Sequence, residues 1–200
     1  MMAAAALVVF LLFLLVAFAA RSWIHYRRTG DHGIRLRASG PVARLAALLL
    51  LAGIALGGLA PTVELLGIAR PFAALDVAWL RGIGLAFSIV SMVVIVVAQS
   101  QMGAAWRVGV DPRERTTLAT HGVFGVVRNP IFTAVMIATA GLALTVPNPV
   151  SIAAVVCVLL GLEIQVRWIE EPYLSRIHGT SYRSYTRSVG RFLPGIGRLR

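Results

Sequence analysis

Five long apolar stretches constrain the fold of this chain more than any other feature of its sequence. They cover residues 3–20, 42–60, 78–98, 131–146 and 150–166. A helix needs about 20 predominantly apolar residues to cross a bilayer, because in lipid every backbone polar group has to be satisfied internally. Hydrophobic residues make up 58% of the 200 residues, and the mean hydropathy is +0.82. The sequence therefore predicts an all-α, polytopic membrane protein with about five transmembrane helices.

The fourth and fifth stretches are separated only by Pro147, Asn148 and Pro149. Proline does not fit a helix interior, so this spacing predicts a tight C-terminal helical hairpin whose two open ends lie side by side. The fifth helix is predicted to continue out of the bilayer through about Ile177, with Pro172 early in the extension. The final "GRFLPGIG" is predicted to be a loop within a C-terminal tail.

The distribution of arginine predicts the topology. All 19 basic residues are arginine, with six in residues 21–44, four in 99–130, seven in 167–200, and only Arg70 and Arg81 in 61–81. The positive-inside rule then places the N-terminus outside and the C-terminus in the cytoplasm. Topology and anionic lipid headgroups explain the net charge of +11 without a nucleic-acid partner. The first stretch lacks the positive n-region of a signal peptide, although "AFAA" leaves cleavage open.

The chain divides by character near residue 98. Residues 1–98 are predicted to be a scaffold of transmembrane helices, in which Gly53 and Gly57 allow close helix packing. Gly82-x-Gly84 is also interpreted as packing rather than as a nucleotide-binding loop. Cys157 is a single cysteine inside the fifth stretch, and the four histidines have no metal-ligand spacing, so no metal is predicted. Residues 99–200 contain the unusual polar segments and are predicted to form the functional part of the chain.

Polar side chains gather where the hairpin opens. "HGVFGVVRNPIF" brings Arg128 and Asn129 to the start of the fourth helix. Glu163, Arg167 and Glu170 are spaced i, i+4, i+7 and are predicted to share one helical face. In the plainer interpretation, Arg167 and Glu171 form an interfacial salt bridge and Arg128 anchors the topology. Because ionisable groups at membrane depth usually face a cavity or a partner, the combination favours a functional site.

These residues resemble a known superfamily, the isoprenylcysteine carboxyl methyltransferases and phospholipid N-methyltransferases. Its members show Gly-x-x-x-x-x-Arg-His-Pro-x-Tyr, then Glu-Glu-x-x-Leu, Gly-x-x-Tyr-x-x-Tyr and Arg-Phe-x-Pro. Residues 121–194 follow this order, whereas residues 1–98 match only as membrane helices. The matching residues are Gly122, Arg128, Pro130, Glu170, Glu171, Leu174, Gly179, Tyr182, Tyr185, Arg191, Phe192 and Pro194.

The resemblance implies an S-adenosylmethionine-dependent methyltransferase that releases S-adenosylhomocysteine. It implies that residues 99–200 form the methyltransferase core, with a helical hairpin and a cytoplasmic, cofactor-binding C-terminal tail. It implies a catalytic set of Arg128, Asn129 and Glu170, in which Arg128 holds a carboxylate bidentately and Glu170 binds the ribose or amino group. Aromatic rings would pack on the adenine or face the sulfonium, with Phe124, Phe132, Trp168, Tyr182, Tyr185 and Phe192 as candidates. The predicted cofactor-binding residues are His121, Gly122, Val123, Arg128, Asn129, Pro130, Phe132, Glu170, Glu171, Tyr182, Tyr185, Arg191, Phe192 and Pro194.

Two departures from the family pattern concern substrate choice. Asn129 stands where the family has His, and Phe132 where it has Tyr. The acceptor is predicted to be lipophilic, with a prenylcysteine carboxylate, a lipid amine or hydroxyl, and a hydrophobic thiol all open. The arginine- and alanine-rich composition indicates a bacterial inner-membrane protein, which favours a lipid or a small hydrophobic acceptor. The alternatives are an NADPH-dependent reductase of the sterol-reductase type and a non-enzymatic membrane scaffold.

Overall fold

A computed structural model describes residues 1–33, 40–103, 106–109 and 117–199. Its regular structure is helical, and the described part of the chain contains isolated bridges but no strand. Five long helices follow one another, which confirms the predicted all-α, polytopic architecture. They are α1 (Met2–Thr29), α2 (Pro41–Leu65), α3 (Ala78–Met102), α4 (Pro130–Thr145) and α5 (Pro149–Ser188).

Each of the five apolar stretches coincides with one of these helices. By length and composition, α1, α2, α3 and α5 are able to cross a membrane. Helix α4 is apolar but has only 16 residues, so its crossing of the full bilayer stays a prediction. Pro130 begins this helix in its first turn, where the missing N–H of proline costs nothing.

Two helices extend further than the sequence predicts. Helix α1 continues past residue 20 to Thr29, and α5 continues past Ile177 to Ser188. Each contains a wider π-helical turn, at Leu15–Ala20 and Gln165–Glu170. The second turn comes just before Pro172, whose ring would clash with a carbonyl in a regular helix. Within its extension, α5 breaks at Gly179, where φ is 51°.

The helices pack as two pairs that the hairpin joins. Helix α3 lies along α4, and α2 lies along α5. At the α3–α4 crossing the backbones are in contact, since a Cβ on Gly141 would lie 2.5 Å from the carbonyl oxygen of Gly84. Gly53 brings α2 against Val158 of α5 in the same way. Small residues thus set the close helix approaches, as expected in lipid.

The hairpin turn is fixed by Asn148, which is fully buried. Its side-chain oxygen accepts hydrogen bonds from the backbone N–H groups of Val150 and Ser151, which caps the start of α5. Its Nδ2 donates to the carbonyl oxygen of Ala60 at 3.0 Å, which ties the turn to α2. The hairpin predicted from the two prolines is therefore confirmed.

A cluster of charges lies at the same end of the molecule as this turn. Arg81 forms ion pairs with Glu64 and Asp76, and its Nε donates to the carbonyl oxygen of Thr145 at 2.7 Å. The side chains of Arg81 and Glu64 are about nine-tenths buried. Arg81 is therefore neutralised by the protein itself.

Candidate active site

A cavity of about 1240 Å³ runs between the two helix pairs. All five helices contribute to it. Its polar end lies where the hairpin opens and is lined by Arg107, Asn129, Gln165, Glu170, Tyr173 and Tyr182. From there it continues among apolar residues toward the hairpin turn, as far as Val146 and Ser151. One cavity thus joins polar and hydrocarbon-lined surroundings.

The glycine-rich segment before α4 forms a compact loop at the polar end. Gly122 adopts φ of +58° and packs against the side chain of Gln101, where a Cβ would collide with the amide. The Gln101 Oε1 accepts a hydrogen bond from the backbone N–H of Val123 at 3.0 Å. The hydroxyl of Tyr185 donates to the carbonyl oxygen of Phe124 at 2.5 Å. These contacts fix the approach to Arg128.

The chain after α5 folds back over this loop. The backbone N–H groups of Arg128 and Asn129 donate to the carbonyl oxygens of Gly190 and Arg191, at 2.8 and 3.1 Å. The Asn129 Nδ2 also donates to the oxygen of Arg191, at 3.2 Å. The hydroxyl of Thr133 donates to the carbonyl oxygen of Phe192 at 2.9 Å. Residues 189–199, here called the tail, are therefore tied to the start of α4 and lie behind the residues that line the cavity.

The guanidinium of Arg128 holds the tail in place. Nη1 donates to the carbonyl oxygens of Thr186 and Val189, at 3.3 and 2.6 Å. Nη2 donates to Glu171 Oε1 at 2.7 Å and to the carbonyl oxygen of Gly197 at 3.1 Å. Only Nε is buried without a partner among the described residues. The predicted bidentate hold on a ligand carboxylate is therefore wrong, because the protein already uses both terminal nitrogens.

Glu171 is the centre of a buried ion cluster. Besides Arg128, its carboxylate accepts hydrogen bonds from Nε and Nη2 of Arg191, at 2.8 and 2.9 Å. These bonds raise the pKa of the Arg191 guanidinium, so the cation persists in the cluster. The Arg167–Glu171 salt bridge of the plainer interpretation does not form, since Arg167 pairs with Glu163 instead. Glu171 and Arg191 thus position the tail rather than line the cavity.

Glu170 is separated from the two residues predicted to share its face. Glu163 and Arg167 form an exposed ion pair, while Glu170 lines the cavity and accepts a hydrogen bond from Gln165 Nε2 at 3.2 Å. The π turn at Gln165–Glu170 causes the difference, because its wider turn shifts the phase of the residues that follow. The predicted i, i+4, i+7 face is therefore wrong.

The structure brings half of the predicted cofactor-binding residues to the cavity. Those lining it are Arg128, Asn129, Pro130, Phe132, Glu170, Tyr182 and Tyr185. The other seven lie behind the lining, in the loop, the ion cluster or the tail: His121, Gly122, Val123, Glu171, Arg191, Phe192 and Pro194. Among the aromatic candidates, Phe124 and Trp168 also line the cavity.

Several polar lining residues were not predicted, including Gln99, Arg107, Gln165, Tyr173 and Arg176. Gln165 lies in an apolar helix, where a polar side chain is itself an indication of function. Arg107 and Tyr173 are joined by a hydrogen bond of 2.8 Å from Nη2 to the hydroxyl. Arg107 sits in a segment without clear periodicity, so no sequence pattern singles it out. In the described ranges, no group of three His, Cys, Asp or Glu side chains is placed to hold a metal ion.

The family model described as phospholipid methyltransferase matches residues 79–181, about half of the chain. The chain belongs to the phospholipid methyltransferase family. The match begins in α3 and covers α4, the hairpin and most of α5, and it includes the polar-end residues Asn129, Gln165 and Glu170.

Two relatives connect this family member to the isoprenylcysteine methyltransferases. The chain is 28% identical to protein-S-isoprenylcysteine O-methyltransferase A of Arabidopsis thaliana over 120 residues, covering 59% of this chain and 61% of that protein. Its fold is similar to that of the eukaryotic intramembrane Ras methyltransferase, isoprenylcysteine carboxyl methyltransferase. That likeness has a TM-score of 0.65 at 21% identity and covers 96% of this chain and 66% of the other. The chain thus spans less than two thirds of either relative.

Proposed function

We propose that this protein is an integral membrane methyltransferase that uses S-adenosylmethionine to methylate a lipophilic acceptor. The observation that carries the proposal is the continuous cavity, which has polar groups at one end and hydrocarbon-lined walls at the other. Such a cavity suits a reaction between a water-soluble donor and a substrate dissolved in the membrane. Membership in the phospholipid methyltransferase family supports the same activity.

The residues at the polar end fit the chemistry of this cofactor. Glu170 is the single acidic side chain among the described residues that line the cavity, and it suits the amino group, the ribose hydroxyls and the positive sulfonium. The buried Nε of Arg128 has no described partner and can donate one hydrogen bond to a carboxylate. The ring of Tyr182 is 2% exposed and offers both an aromatic face and a hydroxyl.

Bound there, S-adenosylmethionine would supply an electrophilic methyl group. This chain's own residues align and desolvate the reactants, which is most of what an in-line methyl transfer requires. The tail holds the start of α4 in place, since Gly190, Arg191 and Phe192 are hydrogen-bonded to it. In this proposal Glu170 would also accept a proton when the acceptor carries one.

Ligand-dependent stability tests the cofactor. Purified protein should gain apparent melting temperature with S-adenosylhomocysteine, because a ligand that binds only the folded state stabilises it, and NADPH should have no effect. Glu170→Ala should weaken S-adenosylhomocysteine binding by about tenfold to a hundredfold, as expected for a lost hydrogen bond to a charged group. Glu163→Ala is the matched control, because Glu163 lies on the same helix outside the cavity.

Methyl transfer tests the reaction itself. Membranes containing the protein and radiolabelled S-adenosylmethionine should yield a labelled, lipid-extractable product, and Glu170→Ala membranes should not. Stabilisation by NADPH in place of S-adenosylhomocysteine would support the reductase instead. Equal binding and labelling by the Glu170→Ala and Glu163→Ala variants would refute the site.

A further inference from the structure

The cavity's apolar part reaches deep into the helix bundle. We call this part the apolar arm; its lining includes Phe10, Gly57, Thr139, Leu142, Val146 and Ser151. Counted along α4 from Asn129 to Val146, at 1.5 Å per residue, the whole cavity is about 25 Å deep. Two of these residues belong to α1 and α2, which the sequence assigns to a scaffold. The arm therefore makes the N-terminal helices part of the site.

The arm ends on a closed floor. Below it, Ala3, Ala6, Ala60 and Val146 form a buried cluster, against which Leu142 packs. The ring of Phe10 lies beside this cluster, against the backbone of α2. A Cβ on Gly57 or Gly58 would come within 3.0 or 2.9 Å of that ring. Close packing leaves the floor little freedom to move.

The arm presents a hydrocarbon surface although hydroxyl groups lie along it. The Thr139 hydroxyl donates to the carbonyl oxygen of Val135 at 2.8 Å. The Ser151 hydroxyl donates to the carbonyl oxygen of Asn148, also at 2.8 Å. Both hydroxyl protons are thereby directed to the backbone and away from a ligand. The remaining contacts in the arm come from aliphatic and aromatic groups, which suit an apolar chain.

We propose that the apolar arm is a blind subsite for one hydrocarbon chain of the methyl acceptor, and that its floor limits the length of that chain. That this chain belongs to a methyl acceptor rests on the proposed function, whereas the binding of the chain does not depend on it. A drug-sized ligand occupies a pocket of about 300–1,000 Å³. The cavity of about 1240 Å³ therefore has room for a cofactor together with one chain.

Length selection follows from the energetics of transfer out of lipid. A methylene gains little on moving from the bilayer into the arm, because both surroundings are equally apolar. Chains that fit should therefore bind about equally well at equal mole fraction in the membrane. A chain that reaches the floor has to overpack it, and overpacking costs enough to weaken binding by about 5- to 150-fold.

The experiment measures this cutoff in lipid nanodiscs without cofactor. Saturated fatty acids from octanoate to eicosanoate, and the corresponding primary amines, are added at equal mole fraction, and the rise in apparent melting temperature reports binding. Both series should lose binding beyond the same chain length. Two head groups are used so that the cutoff can be attributed to the tail.

Three variants locate the cutoff. Thr139→Phe should shorten the longest chain bound by about 10 Å, the distance along α4 from residue 139 to Val146. Leu142→Ala removes bulk beside the floor and should admit longer chains. Ala140→Phe is the matched control, because Ala140 is exposed and lies outside the cavity lining. If Thr139→Phe fails to fold, Leu142→Ala still tests the floor.

The results separate this subsite from the proposed function. No cutoff in the wild-type protein, or the same cutoff in both lining variants and the control, would overturn the subsite. A cutoff that moves with Thr139→Phe or Leu142→Ala supports it even in a protein that transfers no methyl group. If the wild-type protein shows the chain-length cutoff but transfers no methyl group, only the enzymatic proposal is refuted.

Discussion

At the scale of single residues, the contacts of Arg128 change its predicted role. Its buried guanidinium donates to Glu171 and to three backbone carbonyl oxygens. These bonds stabilise the protein's own structure. From the sequence alone, an Arg128→Ala variant is expected to insert and purify normally, because the side chain is taken to be at a solvated interface. The buried geometry predicts the opposite.

Arg128→Ala should therefore reduce stability as well as ligand binding. Removing one partner of a buried ion cluster costs roughly 3–5 kcal/mol, since the remaining groups stay desolvated. Apparent melting temperature and limited proteolysis of the tail measure the loss. Arg167→Ala is the control, because its ion pair with Glu163 is exposed and such pairs contribute about 0–1 kcal/mol. Equal melting temperatures for the two variants would contradict the tail-anchoring role.

The sequence allowed part of the site to be predicted at this scale. Asn129 and Glu170 are polar residues at the mouth of apolar helices, and both line the cavity. The partners of Arg128 could not be predicted, because three of them are backbone carbonyl oxygens whose placement depends on how the chain folds after α5 begins. Gln165 was overlooked although a polar residue inside an apolar helix is visible in the sequence.

At the scale of elements, the apolar stretches predicted the helices but not their ends. Hydropathy marks only the part of a helix that faces lipid, so the polar extensions at residues 21–29 and 178–188 were missed. In the sequence Gly179 is typical of a helix end, yet α5 resumes after it. The π turn at Gln165–Glu170 was also invisible, because periodicity analysis assumes a constant turn. That turn decides whether Glu170 faces the cavity or the lipid.

The α3–α4 crossing gives a test of packing between elements. Gly141→Ala should destabilise the protein, by roughly 1–3 kcal/mol, because the new methyl group meets the carbonyl oxygen of Gly84 and the hydroxyl of Ser88. Gly82→Ala is the matched control on α3, since no atom lies within 4 Å of the place that its new methyl group would take. It should leave stability unchanged or raised by about 0.5–1 kcal/mol. Melting curves in detergent give the comparison, and an equally harmless Gly141→Ala would rule out the backbone contact.

At the scale of the whole molecule, orientation in the membrane follows from the charges. Arg81 is neutralised by Glu64 and Asp76, so the segment between α2 and α3 carries even less free positive charge than its sequence suggests. The described arginines of residues 21–44, 99–130 and 167–199 lie toward the opposite end. This distribution strengthens the expectation that the tail is cytoplasmic.

Reporter fusions test the orientation directly. Alkaline phosphatase fused after Leu66 should be active, because it is exported, whereas a fusion after Arg200 should be inactive. A green fluorescent protein series at the same two sites should give the reverse pattern. Fluorescence at Leu66 would invert the topology and place the polar end of the cavity outside the cell.

The order in which the chain is synthesised determines when the protein can first bind its ligands. The floor of the apolar arm uses α1, which enters the membrane first, while the roof over Arg128 uses residues 189–199, which leave the ribosome after every helix has been made. A nascent chain that has already inserted all five helices would still lack the tail carbonyl oxygens to which Arg128 donates. Ribosome-stalled chains released just before and just after the tail would separate insertion from ligand binding, and a premature stop at this point would yield a correctly located but inactive membrane protein.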